Sequence, residues 1–458
     1  MVLKRMRLTE RRKAVGYTQE QLADQLGVER STVARWEHAE TEPLPWIRPL
    51  LASALRVSPD ELEELLATVD LITAGQDGTP LPGVAPVPVR SGRDPVLAAP
   101  WTHRGTVDAS VRLSGGGDPV ERRVFLYLTG AALTAPAHQW LEREPSVVRT
   151  LRTGGRVSAA LADRLPAVIA ELRLVDDVAG GGNVLPFVRQ GFGWVARLLD
   201  RSAHDGPTGR KLHLALAELG HLAGWAGYDA EQHALAQRYF VAGLHAAHDV
   251  DDRALGAHIL GAMAYQAAHH GRPADAVTLI DTALTGVRGR ASHGLLAELH
   301  IRQAYGFATL GDAAATTAAI GRALAHTERL GTEPEPPWLY WVRPGEITAG
   351  AGNCLLRLGR PERACSVLQD GIRGFGPSFD RDRGLYLGRL ADALARPGRQ
   401  RDLEAAAHHA TAAVEIAAGL SSERSLTRIR ELSTTLASHA DVPAVRDFLE
   451  KARMVLSS

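Results

Sequence analysis

The chain has 458 residues, with 52 Lys and Arg against 52 Asp and Glu, so its formal net charge is zero and nothing global draws it to nucleic acid or membrane. That length predicts two or three domains with ample core. Aromatics are only 5% of the residues, which favours helices packed through small side chains. Lys4, Lys13, Lys211 and Lys451 are the only lysines, an arginine bias that suggests a GC-rich genome and carries no mechanism. Two cysteines, Cys354 and Cys365, suit a reducing cytosol better than a disulfide framework. No apolar run approaches the roughly 20 residues of a membrane span, so a cytoplasmic protein is expected.

Residues 8–66 carry the strongest pattern. Thr18 is placed to cap a helix, with Gln21 three residues on to complete a capping box. Leu22, Ala23 and Leu26 form one apolar face, and Gly27 suits the left-handed turn that follows. A second helix is predicted from about Arg30 to His38. Val33 and Trp36 face inward, which leaves Arg30, Ser31, Ala34, Arg35 and His38 outward. A small, polar, basic outer face suits a DNA groove. Two more short helices, near 45–55 and 59–66, complete five. The bases Lys4, Arg5, Arg7, Arg11, Arg12 and Lys13 cluster against the single Glu10 and form a candidate phosphate-facing patch.

These residues resemble the Cro and C1 repressor type of helix-turn-helix, the XRE family. The likeness covers Leu8 to Leu66. It implies that Gln19 contacts phosphate and that Arg30, Ser31, Thr32 and Arg35 approach bases or backbone of double-stranded DNA. Arg pairs with guanine most often, which makes Arg30 and Arg35 the expected base readers. It also implies that Arg12 and Glu37 form a buried, structural ion pair. Glu29 departs from the family, which often has Ser or Thr there as a cap.

From about Leu71 the pattern fails. Pro80, Pro82, Pro86, Pro88, Pro95 and Pro100 mark a linker, assigned to 71–118. Arg122-Arg123 with Leu128 to Ala137 mimics a twin-arginine export signal, but such signals are read at the N-terminus. The segment is read instead as a helix within a helical connector, 119–205.

From about Val157 the chain is predicted to be almost wholly helical, with a repeat domain over 206–458. Turns are expected at Gly227-Tyr228-Asp229, Gly271-Arg272-Pro273, Gly311-Asp312, Gly359-Arg360-Pro361, Pro397-Gly398 and Ala440-Asp441. A small–aromatic pattern recurs at Ala264-Tyr265 and Ala304-Tyr305-Gly306. This recurrence resembles tetratricopeptide repeats with lengthened helices. Such pairs bury their faces only by stacking, which predicts an α-solenoid with a concave groove. The fold class expected is therefore all-α: a five-helix DNA-binding domain over 1–70, a Pro-rich linker and a solenoid. Leu174-Val175-Asp176-Asp177 with Gly180-Gly181-Gly182, Leu219 to Trp225, and Pro337-Trp338 with Trp341 add to the likeness. Together with the N-terminal domain they resemble a family of Streptomyces regulators of development and antibiotic production.

No enzyme site emerges. Gly206 to Lys211 lacks the glycine spacing and the hydroxyl of a phosphate loop. The histidine pairs His245/His248, His269/His270 and His408/His409 have no Cys or carboxylate at ligand spacing, so no metal and no cofactor are expected. Asn353 is one of two asparagines in the chain. On the groove-lining helix of a repeat its carboxamide is suited to pair with a peptide backbone, as in peptide-sensing regulators of this domain order; a capping or surface role is the alternative. The sequence thus reads as a transcriptional regulator, dimeric on a palindromic operator, with a peptide or small-molecule effector. The rival reading is a repeat scaffold for protein partners with a minor or lost DNA-binding role.

Overall fold

The computed structural model describes residues 2–38, 41, 43, 47–58, 61–62, 65–66, 70–72, 94, 96–114, 127–143, 156–376 and 379–457. The chain divides into two units, Met1–Arg90 and Ser91–Ser458.

The first unit contains α1 (Met6–Val15), α2 (Gln19–Leu26), α3 (Arg30–Glu37) and α4 (Arg48–Leu55). The expected capping box is present: Gln21 N donates to Thr18 Oγ1 at 3.1 Å and Thr18 N donates to Gln21 Oε1 at 2.8 Å. Gly27 takes the left-handed conformation, φ 66°, that ends α2 and sets the crossing to α3. Glu29 makes no side-chain cap bond to α3; its carboxylate accepts from Ser31 Oγ at 3.1 Å instead. Leu8, Leu22, Leu26, Val33, Trp36 and Leu51 share one core. Of the helix expected over 59–66, Leu62 and Leu66 are helical and buried in that core, whereas 59, 60, 63 and 64 lie outside the described residues. One pairing was not foreseen. β1 (Val2–Lys4) and β2 (Asp70–Ile72) join antiparallel and bring the ends of the domain together. Three-residue strands are too short to show a period in the sequence.

The second unit begins inside the expected linker. Residues 73–93 and 115–126 lie outside the described residues, but α5 (His103–Ser114) buries Thr106, Val107, Ala109 and Leu113. Trp101, just before it, stacks on His245 at 3.9 Å, and Arg238 Nε donates to Asp94 Oδ2 at 2.8 Å. The helix escapes periodicity because much of its buried face is Gly, Thr and Ser. Next come α6 (Ala131–Glu142), the short α7 (Ala159–Ala162), α8 (Leu165–Ala179) and α9 (Gly181–Arg201). The twin-arginine pair lies outside the described residues. The apolar stretch after it is α6, which packs on the downstream helices as expected. Its Trp140 fills a slot made by Gly256 and Gly286, where a Cβ on either glycine would stand 2.3 Å from the indole.

Helical hairpins follow: α10 (Gly206–Asp229) with α11 (His233–Asp249), α12 (Arg253–His269) with α13 (Pro273–Gly286), and α14 (His293–Leu310) with α15 (Ala313–Thr327). They continue as α16 (Pro344–Arg357) with α17 (Pro361–Arg373) and α18 (Asp380–Ala395) with α19 (Leu403–Ala417), then α20 (Glu423–Leu436) and α21 (Pro443–Leu456). First helices of neighbouring hairpins also meet, α12 with α14 and α14 with α16. Turn chemistry sets the joints. Asp252, Asp312 and Asp402 cap helices through their carboxylates, and Pro273 and Pro361 open them. The turn expected at Gly227-Tyr228-Asp229 instead falls at 230–232, with Glu231 at φ 55°. Buried Tyr228 and Asp229 carry α10 two residues past Gly227.

The end of the stack is tied to its beginning. Gly182 N donates to Ser421 O at 2.8 Å and Ser421 N to Ala179 O at 2.9 Å. Arg381 Nη1 donates to Asp176 Oδ2 at 2.7 Å, and Arg424 Nε and Ser422 Oγ both donate to Asp229 Oδ1. An interior cavity lies among these helices; an open groove was expected. Among the described residues no helix is long and apolar enough to cross a membrane.

Candidate functional site

Two places gather functional side chains. The first is the outer face of α2 and α3. Arg30, Ser31 and Arg35 are exposed, and Thr32 and Gln19 are half-buried. Arg35 lies along its own helix, with Nε 3.4 Å from Ser31 O and Nη2 3.4 Å from Thr32 Oγ1. Both are long, local contacts that a base or phosphate would outcompete. Gln19 and Arg30 meet across a shallow open depression with Lys13, Tyr17 and Thr18. Beneath it Arg12 Nε donates to Glu37 Oε1 at 2.7 Å and Arg12 Nη2 to Glu37 Oε2 at 3.2 Å, both side chains buried. This is the structural pair the family likeness implied. Gln19 belongs partly to it: its Nε2 donates to Glu37 Oε2 at 2.6 Å.

The basic cluster at the N-terminus is not a uniform outer patch. Arg5 is buried and donates to Leu66 O at 2.6 Å and Trp36 O at 3.0 Å. Arg11 Nε donates to Leu55 O at 2.9 Å. Arg5, Arg11 and Arg12 therefore join elements of the domain, and Arg7 and Lys13 are exposed. Sequence shows charge but not which guanidiniums have carbonyls to bind.

The second place is the interior cavity of the second unit, about 990 Å³ counted to its open mouth. Trp225, Tyr265, Trp338, Trp341 and Tyr386 supply aromatic walls. Arg302 lies over three of these rings, 5.5 Å from Trp225, 4.9 Å from Tyr265 and 5.3 Å from Trp341. Its Nε donates to buried Glu298 at 3.0 Å, and Glu298 also meets His258 Nδ1 at 2.7 Å. Opposing charges line the rest. Tyr386 donates to Glu346 Oε1 at 2.7 Å and Tyr340 to Asp177 Oδ2 at 2.6 Å. Burial pushes the Glu346 carboxyl up to about 8, with Asp382 adding to the rise and the Tyr386 hydrogen bond opposing it. Burial likewise raises Asp177 to about 7 against the pull of Arg381. Asp229 goes the other way: burial would raise it, but Arg381 and Arg424 together hold it below the usual carboxylate range. Such a chamber offers flat π-faces and both signs of hydrogen-bonding partner in a low dielectric.

Asn353 lies on α16 and lines this cavity, nearly buried, and its carboxamide has no hydrogen-bond partner among the described residues. Gly350, its neighbour, packs against Ile301. The cavity as a whole was not read from the sequence. Its signals were present in Tyr265 and Tyr305 of the recurring small–aromatic pattern and in Trp338 and Trp341, all of which line it. Cys354 and Cys365 are buried on the two helices of one hairpin, and burial pushes the Cys354 thiol up to about 12.

The singled-out histidines mostly pack. His269 lies 4.3 Å from the Tyr265 ring and 4.6 Å from that of Tyr305, and His248 Nε2 is 3.1 Å from Arg143 O. A different set converges: His103, His213 and Asp249 each bring a ligand atom within 4.8 Å of the others. They are far apart in the chain, and sequence spacing did not reveal them.

Comparison with curated proteins finds no match to the chain. Residues 8–62 match the family Helix-turn-helix (HTH_3), so the first unit carries an XRE-type helix-turn-helix domain, which implies that the protein binds DNA.

Proposed function

We propose that the protein is a cytoplasmic, sequence-specific transcriptional regulator, not an enzyme, whose second unit senses a small molecule. The observation that carries the reading is the pairing of a helix-turn-helix head with an aromatic, charged interior cavity in the other unit. The hairpins are tetratricopeptide-like, and the interior cavity among them favours a compact effector over a long extended peptide. Arg302, Arg389 and Asn353 are its polar contacts, and the Trp and Tyr faces hold its apolar part. Control of development or secondary metabolism is what the likeness to Streptomyces regulators supports.

The regulator acts as a homodimer on an operator with palindromic halves about one helical turn, roughly 34 Å, or a multiple of it apart. Exposed apolar side chains support the dimer: Val168, Leu174, Val175 and Val178 on α8, with Phe187 and Trp194 on α9.

Selection of bound fragments from a genomic library, read by sequencing, tests the DNA half. Enrichment of one inverted motif is expected; recovery of random fragments overturns it and favours the scaffold reading. A thermal-shift screen with culture-extract fractions, followed by gel shift, tests the sensor. Asn353→Ala is expected to blunt the ligand response and leave ligand-free DNA binding unchanged.

A further inference from the structure

Three elements of the second unit end on one point. His103 is the first residue of α5, His213 sits in α10 and Asp249 closes α11. His103 Nδ1 and His213 Nε2 are 2.8 Å apart, and Asp249 Oδ2 is 3.6 Å from His213 Nε2. Donor atoms around a tetrahedral ion at about 2.0–2.1 Å stand roughly 3.3 Å from one another. The two observed separations bracket that figure, and the histidine nitrogens need to part by only about half an ångström.

The surroundings orient the set. His213 Nδ1 lies 2.8 Å from Gly209 O. Donation to that carbonyl fixes the tautomer that turns the Nε2 lone pair toward the cluster, the usual outer-shell device of a metal-bound histidine. His213 and Asp249 are buried. A further histidine lies nearby, outside the three that converge. His204 is buried, its Nε2 has no hydrogen-bond partner, and its ring lies 6.4 Å from that of His103.

We propose that His103, His213 and Asp249 bind one divalent transition-metal ion of the Zn²⁺ class, with His204 completing the set directly or through one water. Imidazole nitrogens exclude the hard cations Mg²⁺ and Ca²⁺ as the natural occupants, and a mixed N and O set in a closed site suits Zn²⁺. The ion pins the first long helix of the second unit onto the α10–α11 hairpin. Its role is structural, independent of the effector cavity. The expectation of no metal weighed only histidines close together in the chain, whereas these ligands are joined by folding.

The test uses full-length protein stripped by chelation and dialysed. Zn²⁺ is titrated in, bound ion is counted by elemental analysis and Tm is followed. One ion per chain and a Tm rise of about 2–4 °C at saturation are expected. His103→Gln and Asp249→Asn are expected to weaken binding at least about tenfold, while a double His408→Gln, His409→Gln variant of the other histidine pair binds as wild type. His103 is only half-buried, so its substitution keeps the test open if Asp249→Asn does not fold. Co²⁺ in place of Zn²⁺ is expected to show tetrahedral visible bands that the His103→Gln variant lacks. Absence of stoichiometric binding by the wild type, or binding that survives His103→Gln unchanged, overturns the proposal and leaves a plain histidine–histidine hydrogen bond.

Discussion

Removing the Arg12 guanidinium would leave the Glu37 carboxylate buried with only the Gln19 amide and whatever water enters the gap. A broken buried pair costs about 3–5 kcal/mol, so Arg12→Ala is expected to lower the melting temperature of a 1–90 fragment sharply. Lost DNA binding with an unchanged Tm would make Arg12 a phosphate contact instead. Glu346 gives a residue-scale prediction of pH dependence. Its folded value, about 8, lies above its ordinary value of 4.5. The folded state thus holds a proton that the unfolded chain has released, and stability falls as pH rises through that interval. Buried histidines such as His221 and His269 are held below their ordinary value, chiefly by burial, so their contribution is lost as pH falls below about 6.5. Between pH ~7 and ~8 the carboxyl slope is therefore the one to see. Tm of the full chain is expected to decline over that range, and Glu346→Gln to flatten the decline. Equal slopes in variant and wild type would place the Glu346 proton elsewhere.

At the scale of the element, α3 presents its polar face and buries Val33 and Trp36, and its short length concentrates the exposed cations in Arg30 and Arg35. Arg30→Ala and Arg35→Ala are each expected to cost about 1–3 kcal/mol of discrimination between operator and random DNA, with the fold intact. Footprints identical to wild type would move recognition to another element. Gln19→Ala has two expected effects: weaker binding to all sequences and a small loss of stability, because Gln19 also donates to Glu37. The hairpins of the second unit were legible as helices because Asp caps, N-terminal prolines and left-handed glycines punctuate them. Helix α5 was not, since Gly105, Thr106 and Ser110 on its buried face give no apolar period.

For the whole molecule, the exposed apolar residues of α8 and α9, Val168 to Trp194, predict a self-association surface. Trp194→Glu with Val178→Asp is expected to yield monomers by light scattering and to weaken operator binding steeply, since two-fold recognition needs both heads. A wild type that is monomeric both free and on DNA would contradict the dimer.

The family likeness implied the Arg12–Glu37 pair, whereas the sequence by itself determined the helix-turn-helix, its capping box and the helical character of the second unit. Those features rest on local chemistry: caps, turns and apolar spacing within about ten residues. Tertiary structure decided what long-range closure controls. It joined 179–182 to 421–424 and left a chamber among the helices, where an open groove was expected. It gathered Trp225, Arg302, Glu346 and Arg389 around that chamber and brought His103 to His213 across 110 positions of chain. It also sent Arg5 inward while Arg7 stayed exposed. Each of these depends on which backbone carbonyls and side chains arrive from distant segments, and no spacing along the chain encodes that arrival.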